Sequence, residues 1–293
     1  MAEETQDADL TWESVDCALC GSNDYEVRYE IPPSRMSDVW IDGVNCSVSE
    51  PGIIVTCRHC GLTYVNPRLA TNSALTTYST EEELAYFSDT RASRSAAYGK
   101  LIEDAATWLG RDSQTWLDIG CGDGALVGIA RRAGIECVGT EISHTLIRAV
   151  QQRLGEDAIV ASSLADLPRG FYDVVTLLNV LEHLPDPRAT LKRASPLLKP
   201  DGLLLVHVPN LGGLPARLLR AHWRHIAPTE HLYYFTPRTL RALMSRADLE
   251  PLGRFSLATS TGLLGTMQHF LESLGFYWGN GLGVVARSAP QAK

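Results

Sequence analysis

Residues 116–124 read Trp-Leu-Asp-Ile-Gly-Cys-Gly-Asp-Gly, and this stretch is the strongest indication of the architecture of the chain. It is typical of an apolar strand that ends in a DxGxGxG turn and opens a helix. Glycines in such a turn let the backbone approach a ligand closely. Glu141 follows 17 residues after Gly124, at the end of the next predicted strand. A carboxylate at that place can accept hydrogen bonds from both hydroxyls of a ribose, so the pair of features predicts a nucleotide-like ligand.

A dinucleotide is the alternative ligand for a glycine turn of this kind. The spacing here is GxGxG, whereas the turns that bind dinucleotides read GxGxxG. The following helix is then not arranged to hold a pyrophosphate at its N-terminus. The spacing therefore favours a single nucleoside ligand.

Strand and helix patterns alternate on both sides of this turn, which predicts an α/β fold with a parallel, doubly wound sheet. A helical apolar pattern runs from about Arg91 to Leu109. The predicted strands are Thr115 to Ile119, Glu136 to Glu141, Ala158 to Ala161, Tyr172 to Leu178 and Leu203 to Val208. The predicted helices are 125–133, 144–154, 188–198 and 237–246, followed by a strand at 252–258, a helix at 263–274 and a last strand at 283–286.

Two CxxC pairs, each followed by glycine, lie near the N-terminus: Cys17 with Cys20, and Cys57 with Cys60. Such knuckles present two thiolates each to one tetrahedral ion, so together they predict a four-cysteine structural zinc site. Metal binding would stabilise a segment that is too small to hold a core of its own. The alternatives are four unrelated cysteines, a catalytic zinc with an open position, or substitution of His59 or Cys46 as a ligand.

Composition and charge exclude several classes of protein. The chain has 293 residues, of which 45% are hydrophobic and 20% charged, as in an ordinary globular protein. No apolar run approaches the roughly 20 residues of a spanning helix, and the N-terminus does not resemble a secretory signal, so we expect a cytoplasmic protein with no membrane span. The net charge of −8 disfavours a nucleic-acid partner. Residues 188–246 carry ten Lys or Arg against two acids, which suits a small anionic acceptor.

From roughly Arg91 to the C-terminus the sequence resembles the class I methyltransferases that use S-adenosylmethionine. The resemblance extends from the glycine turn to four later stretches, Ser162 to Pro168, Phe171 to Val175, Leu181 to Pro187 and Leu198 to Gly202. It implies a Rossmann-like, seven-stranded, mostly parallel sheet in which Asp118 holds the methionine end of the cofactor and Glu141 binds its ribose. Ser163 departs from the family, because many relatives have an acid there that reaches the adenine amino group.

The expected organisation and cofactor site follow from the motifs and this resemblance. We expect an acidic disordered tail at 1–16, a zinc ribbon at 17–67, a connector or lid at 68–90 and the methyltransferase domain at 91–293. The residues expected to bind S-adenosylmethionine are Asp118, Gly120, Cys121, Gly122, Gly124, Glu141, Ile142, Ser163, Leu164 and Asn179.

A narrower resemblance concerns the acceptor. Two cysteine knuckles, this catalytic domain and the segment Glu230-His-Leu-Tyr-Tyr-Phe-Thr-Pro237 together resemble the zinc-ribbon methyltransferases of bacterial sugar, polysaccharide and natural-product pathways. Ubiquinone-type O-methyltransferases share the EHLPDP element but lack the ribbon. The tetrad Asn-Pro-Pro-Tyr, a sign of methylation on nucleic acids or protein amides, is absent after the fourth strand. The resemblance therefore implies a small-molecule acceptor.

Methylation of a hydroxyl requires a base that titrates near neutrality, most simply a histidine. His231 and His183 are the candidates, with Glu182 beside the latter, because both histidines follow strands at the carboxyl edge of the sheet. The competing interpretation gives Glu182 and His183 a bracing role and packs His231 under the helix that begins at Pro237.

We therefore predict O-methylation of a sugar or natural-product scaffold. C- or N-methylation of a similar molecule is one alternative. A non-catalytic zinc-ribbon module that binds RNA or protein is an alternative of another class.

Overall fold

The computed structural model describes residues 10–41, 44–70, 80–160, 164–257 and 279–289. The N-terminal part of the chain contains seven short strands. They are β1 (Trp12–Glu13), β2 (Tyr25–Ile31), β3 (Val39–Ile41), β4 (Val44–Cys46), β5 (Gly52–Cys57), β6 (Thr63–Val65) and β7 (Arg68–Leu69). β1 pairs with β7, so the predicted disordered tail at 1–16 includes a strand, while residues 1–9 lie outside the described range.

The second part of the chain alternates helices and longer strands. Its first half contains α1 (Thr80–Leu109), β8 (Thr115–Ile119), α2 (Ala125–Arg132), β9 (Glu136–Thr140), α3 (His144–Leu154), β10 (Tyr172–Leu178), α4 (Pro187–Ala194) and β11 (Leu198–Pro209). Its second half contains α5 (Leu214–Leu219), β12 (Tyr233–Tyr234), α6 (Pro237–Ser245), β13 (Leu249–Phe255) and β14 (Gly281–Ser288). The helix predicted at 263–274 lies outside the described residues.

The central sheet has the order β13-β14-β11-β10-β8-β9. β11, β10, β8 and β9 run parallel, whereas β14 is antiparallel to both β11 and β13. Ile159 forms a single parallel bridge to Gly139 beyond β9, at the place of the predicted strand 158–161. The prediction of a mostly parallel, doubly wound sheet is confirmed, with six strands and this bridge in the described part of the chain.

Alternation of side chains along the strands produces one hydrophobic core on each face of the sheet. Leu117, Val175 and Leu204 belong to one core, and their neighbours Trp116, Val174 and Leu203 belong to the other. Residues of α1 pack into the second core. This helix begins at Thr80 and is therefore longer than the helix predicted from Arg91. The sequence Thr80-Glu-Glu-Glu83 is a pattern that initiates helices.

The cysteine-rich segment is joined to the main sheet through β12. β12 pairs with β6 and completes a second sheet of order β12-β6-β5-β2. The amide of Val65 also donates to the carbonyl of Leu232, at 2.9 Å. Cys17, Leu19 and Leu62 belong to the same hydrophobic core as the inner strands of the main sheet. The two parts thus share one core.

Within the described ranges, no helix is both long enough and apolar enough to cross a bilayer.

Asp173 anchors the amino ends of β8 and β10. Its fully buried carboxylate accepts hydrogen bonds from the amides of Gln114 and Thr115, at 2.8 and 3.0 Å. Arg111 and Lys199 lie 2.8 and 3.1 Å from its oxygens. Burial alone would raise the pKa of Asp173, but these donors outweigh burial and hold the pKa well below its usual range.

We expect Asp173→Asn to lower the free energy of unfolding by about 2 to 4 kcal/mol, because two cations lose their buried partner. A depressed pKa contributes stability above the unfolded pKa of about 4 and loses it as the pH falls, so the difference between variant and wild type should shrink in acid. Urea unfolding at several pH values measures both effects. Asp201→Asn is the matched control, since Asp201 also pairs with Arg111 but its side chain is 61% exposed. Equal effects of the two variants would contradict the prediction.

Candidate active site

The glycine turn lies between β8 and α2, at the carboxyl edge of the parallel strands. Gly120 has a φ of +68°, in the left-handed region. A Cβ atom at Gly120 would lie 2.6 Å from Cγ2 of Val180, in the segment that follows β10. The turn therefore requires glycine both for its conformation and for the close approach of the next loop.

Three carboxylates surround this turn. Asp118 is 4% exposed and accepts a hydrogen bond from the hydroxyl of Thr176 at 2.6 Å. Burial, together with the nearby charges of Glu141 and Asp123, raises the pKa of Asp118 to about 7. A cationic ligand would relieve this repulsion, so the electrostatics of the turn favour a positively charged group.

Glu141 follows β9 and is held by the backbone. Its carboxylate accepts hydrogen bonds from the amides of Gly122 at 2.9 Å, Ile142 at 2.7 Å and Ser143 at 3.0 Å. A carboxylate has about four acceptor sites, so roughly one remains for a ligand. Binding both hydroxyls of a ribose would require one backbone bond to be shared or released.

The other predicted cofactor residues lie at the same edge or outside the described range. Gly122, Gly124 and Cys121 form the turn, and Cys121 is buried against Gly139. Ile142 is 59% exposed, and Leu164 begins a short 3₁₀ helix, while Ser163 lies outside the described residues. Asn179 has a φ of +57°, and its Oδ1 lies 3.0 Å from Nδ1 of His207.

Helix α1 covers the glycine turn with two residues that sequence reasoning missed. A Cβ atom on Gly122 would lie 2.7 Å from the tip of the Phe87 ring. Arg94 donates to Oδ1 of Asp123 at 2.9 Å and to the carbonyl of Phe87 at 2.7 Å, with its guanidinium 4.9 Å from the ring centre. No motif pointed to either residue, because this contact joins parts of the chain that are far apart in sequence.

The two candidate histidines lie side by side. The ring centres of His183 and His231 are 4.7 Å apart in an edge-on arrangement. Nδ1 of His183 lies 2.9 Å from the carbonyl oxygen of Glu230, and Nδ1 of His231 lies 2.9 Å from that of His225. Since a carbonyl only accepts, both Nδ1 atoms carry the proton, and Nε2 of each ring is then the basic nitrogen.

Burial lowers the pKa of both histidines. In His183 the neighbouring His231 lowers it further, to about 3. In His231 the bond to the His225 carbonyl and the Glu230 carboxylate counteract burial. Both rings are neutral at neutral pH, which is the form that can accept a proton.

Glu182 completes this cluster. It is 1% exposed, and neither of its carboxylate oxygens has a hydrogen-bond partner among the described residues. Oε1 lies 3.8 Å from Nε2 of His183, and burial raises the pKa of Glu182 to about 8. One donor atom from each of Glu182, His183 and His231 lies within 4.8 Å of the others. Such a set can handle protons, and its ligand types also suit a divalent cation.

The segment before His231 belongs to the basic stretch 188–246. Its three arginines, Arg217, Arg220 and Arg224, are exposed to solvent. His225 of the same segment is half-buried beside the buried Trp223, and its ring stacks on that of His231 with ring centres 6.0 Å apart.

The four knuckle cysteines meet in one place. The Sγ atoms of Cys17 and Cys60 are 3.4 Å apart, those of Cys20 and Cys57 are 3.5 Å apart, and all four lie within 4.8 Å of one another. Four sulfurs at a Zn–S distance of about 2.3 Å would be separated by roughly 3.8 Å, so the arrangement fits zinc. Burial raises the pKa of the Cys60 thiol to about 11, and a bound cation would offset this cost of forming thiolates.

Comparison with known proteins agrees with this geometry. A family model described as a methyltransferase domain matches residues 90–253, more than half of the chain. Ubiquinone biosynthesis O-methyltransferase of Methylococcus capsulatus is 28% identical over 167 residues, which cover 55% of this chain and 66% of that protein. The protein of the same name from Caulobacter vibrioides is 28% identical over 178 residues, covering 56% and 71% respectively.

A solved structure shares the fold. It is the 1,6-didemethyltoxoflavin-N1-methyltransferase of Burkholderia thailandensis, crystallised with 1,6-didemethyltoxoflavin and S-adenosylhomocysteine. The TM-score is 0.52 at 19% identity, over 81% of this chain and 96% of that one. Among the ubiquinone biosynthesis O-methyltransferases that it resembles, the chain spans from 38% to 71% of the relative's own length.

The cysteine cluster predicts about one zinc per chain, measured by elemental analysis. Cys57→Ser should reduce zinc to near zero and lower the unfolding temperature, because the cluster shares its core with the main sheet. Cys46→Ser is the control, since Cys46 is buried in the same segment but lies outside the cluster. Full zinc retention in Cys57→Ser would exclude this ligand set.

Glu141→Ala should weaken binding of S-adenosylmethionine at least about tenfold, since a charge-assisted hydrogen bond contributes about 1.5 to 3 kcal/mol. Titration calorimetry with the cofactor measures the affinity. Glu136→Ala is the control, because Glu136 is an exposed acid at the other end of the same strand. Wild-type affinity in Glu141→Ala would remove this carboxylate from the site.

Proposed function

The chain belongs to the methyltransferase-domain family, and on that premise we propose that it transfers a methyl group from S-adenosylmethionine to a hydroxyl of a small molecule. The glycine turn with Asp118 and Glu141 is the site for the cofactor. The cluster of Glu182, His183 and His231 is the site at which the acceptor reacts.

The observation that carries this proposal is that both sites lie at one edge of the sheet. Val180 contacts the glycine turn, and His183 follows it by three residues. His231 is held against His183. Doubly wound folds bind their ligands at this edge, so cofactor and acceptor would meet there.

The chemistry divides between cofactor and protein. S-adenosylmethionine, when bound, supplies an electrophilic methyl carbon attached to a sulfonium. The chain aligns the acceptor and removes its proton. Nε2 of His231 accepts the proton of the hydroxyl, while the carbonyl of His225 holds Nδ1–H and keeps the ring in the required tautomer.

His231 is a better base than His183 for an electrostatic reason. Burial lowers the pKa of both rings, and in each ring the bond from Nδ1 to a carbonyl counteracts burial. The pKa of His183 is lowered further by His231, whereas the Glu230 carboxylate raises that of His231. His183 would then orient the acceptor or receive a hydrogen bond. Glu182, buried beside His183 with its pKa raised to about 8, can donate or accept a hydrogen bond with a polar group that enters the cluster.

The acceptor class follows from the surroundings and the relatives. The curated relatives named above are O-methyltransferases of ubiquinone biosynthesis, which supports a hydroxyl acceptor on a small molecule. The cysteine knuckles and the Glu230–Pro237 segment point more narrowly to a sugar or natural-product scaffold. The exposed Arg217 and Arg224 are candidate contacts for an anionic group on it.

A paired acceptor panel tests the reaction. Purified protein is incubated with S-adenosylmethionine labelled in its methyl group and with polyhydroxylated sugars, nucleotide sugars and phenolic scaffolds. Each acceptor is matched by its methyl ether and by its amino analogue. Mass spectrometry should find one added methyl on the hydroxyl compound only. Transfer to the amino analogue alone would overturn O-methylation in favour of N-methylation.

His231→Gln should lower turnover at least about a hundredfold at saturating acceptor, because removal of a general base costs about 10² to 10⁴ in rate. The affinity for S-adenosylmethionine should not change. The matched control is His222→Gln, an exposed histidine of the same segment. Retention of more than half the turnover would exclude His231 as the base. Loss of activity with a chelator that spares the cysteine-bound zinc would indicate a metal-assisted reaction at the cluster instead.

A further inference from the structure

Arg68 lies between the two segments that carry the histidines. Its side chain is 9% exposed, although it belongs to the short strand β7 in the N-terminal part of the chain. Its Nη1 donates to the carbonyl oxygen of Pro185 at 3.0 Å and to the hydroxyl of Tyr233 at 3.3 Å. Its Nε donates to Oε1 of Glu13 at 2.9 Å. One buried guanidinium therefore bonds three separate parts of the chain.

Tyr233 closes the same arrangement from the other side. Its hydroxyl donates to the carbonyl oxygen of Pro185 at 3.0 Å while accepting from Arg68. The carbonyl of Pro185 thus receives two hydrogen bonds. Tyr233 lies in β12 and pairs with Tyr64 of β6, so the sheet β12-β6-β5-β2 fixes its position.

The residues that make these bonds are close in sequence to the two candidate histidines. Pro185 follows His183 by two residues, and Tyr233 follows His231 by two residues. The amide of Leu232 also donates to the carbonyl of Glu182 at 2.8 Å. The two histidine segments are therefore tied together directly by one backbone bond and, two residues further on, by the Arg68–Tyr233 pair.

We propose that Arg68 and Tyr233 are positioning residues that set the distance and angle between the rings of His183 and His231. Neither side chain needs to touch substrate. Arginine suits this role because its planar fork bonds Glu13, Pro185 and Tyr233 in fixed directions, which the single ammonium of lysine cannot do. The Glu13 carboxylate balances the buried charge.

The catalytic part of this inference rests on the proposed function, but the geometric part can be tested without an acceptor. Arg68→Lys keeps the charge opposite Glu13 while losing the fork. Tyr233→Phe removes one hydroxyl and leaves the ring packing. Tyr64→Phe is the matched control, because Tyr64 stacks near Tyr233 in the same sheet and its buried hydroxyl has no partner among the described residues.

The first measurement is nuclear magnetic resonance of the histidine ring protons, assigned with His183→Gln and His231→Gln. Arg68→Lys and Tyr233→Phe should shift the signals of both rings and weaken the nuclear Overhauser effect between them. Tyr64→Phe should leave them unchanged. Unchanged signals in both test variants would overturn the proposal.

The second measurement is turnover at saturating acceptor, together with cofactor affinity and zinc content. Misplacement by about 1 Å can cost a hundredfold in rate, so we expect a loss of about tenfold in Tyr233→Phe and of ten- to a hundredfold in Arg68→Lys. Cofactor affinity and zinc content should stay at wild-type values. If the two variants lose cofactor affinity, zinc and thermal stability together with turnover, the role of Arg68 and Tyr233 is purely structural. If the wild type methylates no acceptor, the proposed function fails, and the ring signals still decide the positioning role.

Discussion

The main-chain pairing of β12 with β6 is the interaction on which the rest of the structure depends. It connects a strand that follows His231 to a sheet in which two of the clustered cysteines, Cys57 and Cys60, lie at the turn between β5 and β6. Backbone hydrogen bonds of this kind are directional. They fix the register of the strand and the face of the sheet on which each of its side chains lies. The cysteine-rich segment therefore helps to fix the backbone that follows His231.

The acceptor side of the molecule contains buried polar groups that bond no other described residue. They are the Glu182 carboxylate and the Thr229 hydroxyl. Each such group costs free energy, so a folded protein keeps few of them without a reason. Their position in or beside the segments of His183 and His231 is consistent with polar contacts that a ligand would complete. The cofactor side is different, because the Glu141 carboxylate already accepts three hydrogen bonds from backbone amides.

Motifs that are local in sequence were predictable, and contacts between distant segments were not. The glycine turn, Glu141 and the two cysteine pairs follow from spacing, because each feature needs only a few adjacent residues. The sequence predicted that His183 and His231 both lie at the carboxyl edge of the sheet. It did not predict that their rings are in contact. No local sequence motif indicated the roles of Arg68 and Phe87 or the stacking of His225 on His231. In each case burial by another element decided where the side chain lies.

The pairing of β12 with β6 also bears on how the chain reaches its folded state. Tyr64 and Tyr233 are partners in one sheet, yet they are separated by more than half of the chain. The N-terminal hairpins leave the ribosome early with one edge of their sheet unpaired, and that edge is covered only after the region around Tyr233 has been synthesised. Closing such a long loop has an entropic cost, and contacts of this kind slow folding. The cysteine-rich segment is thus made before β12, and its sheet is completed only after β12 has been made.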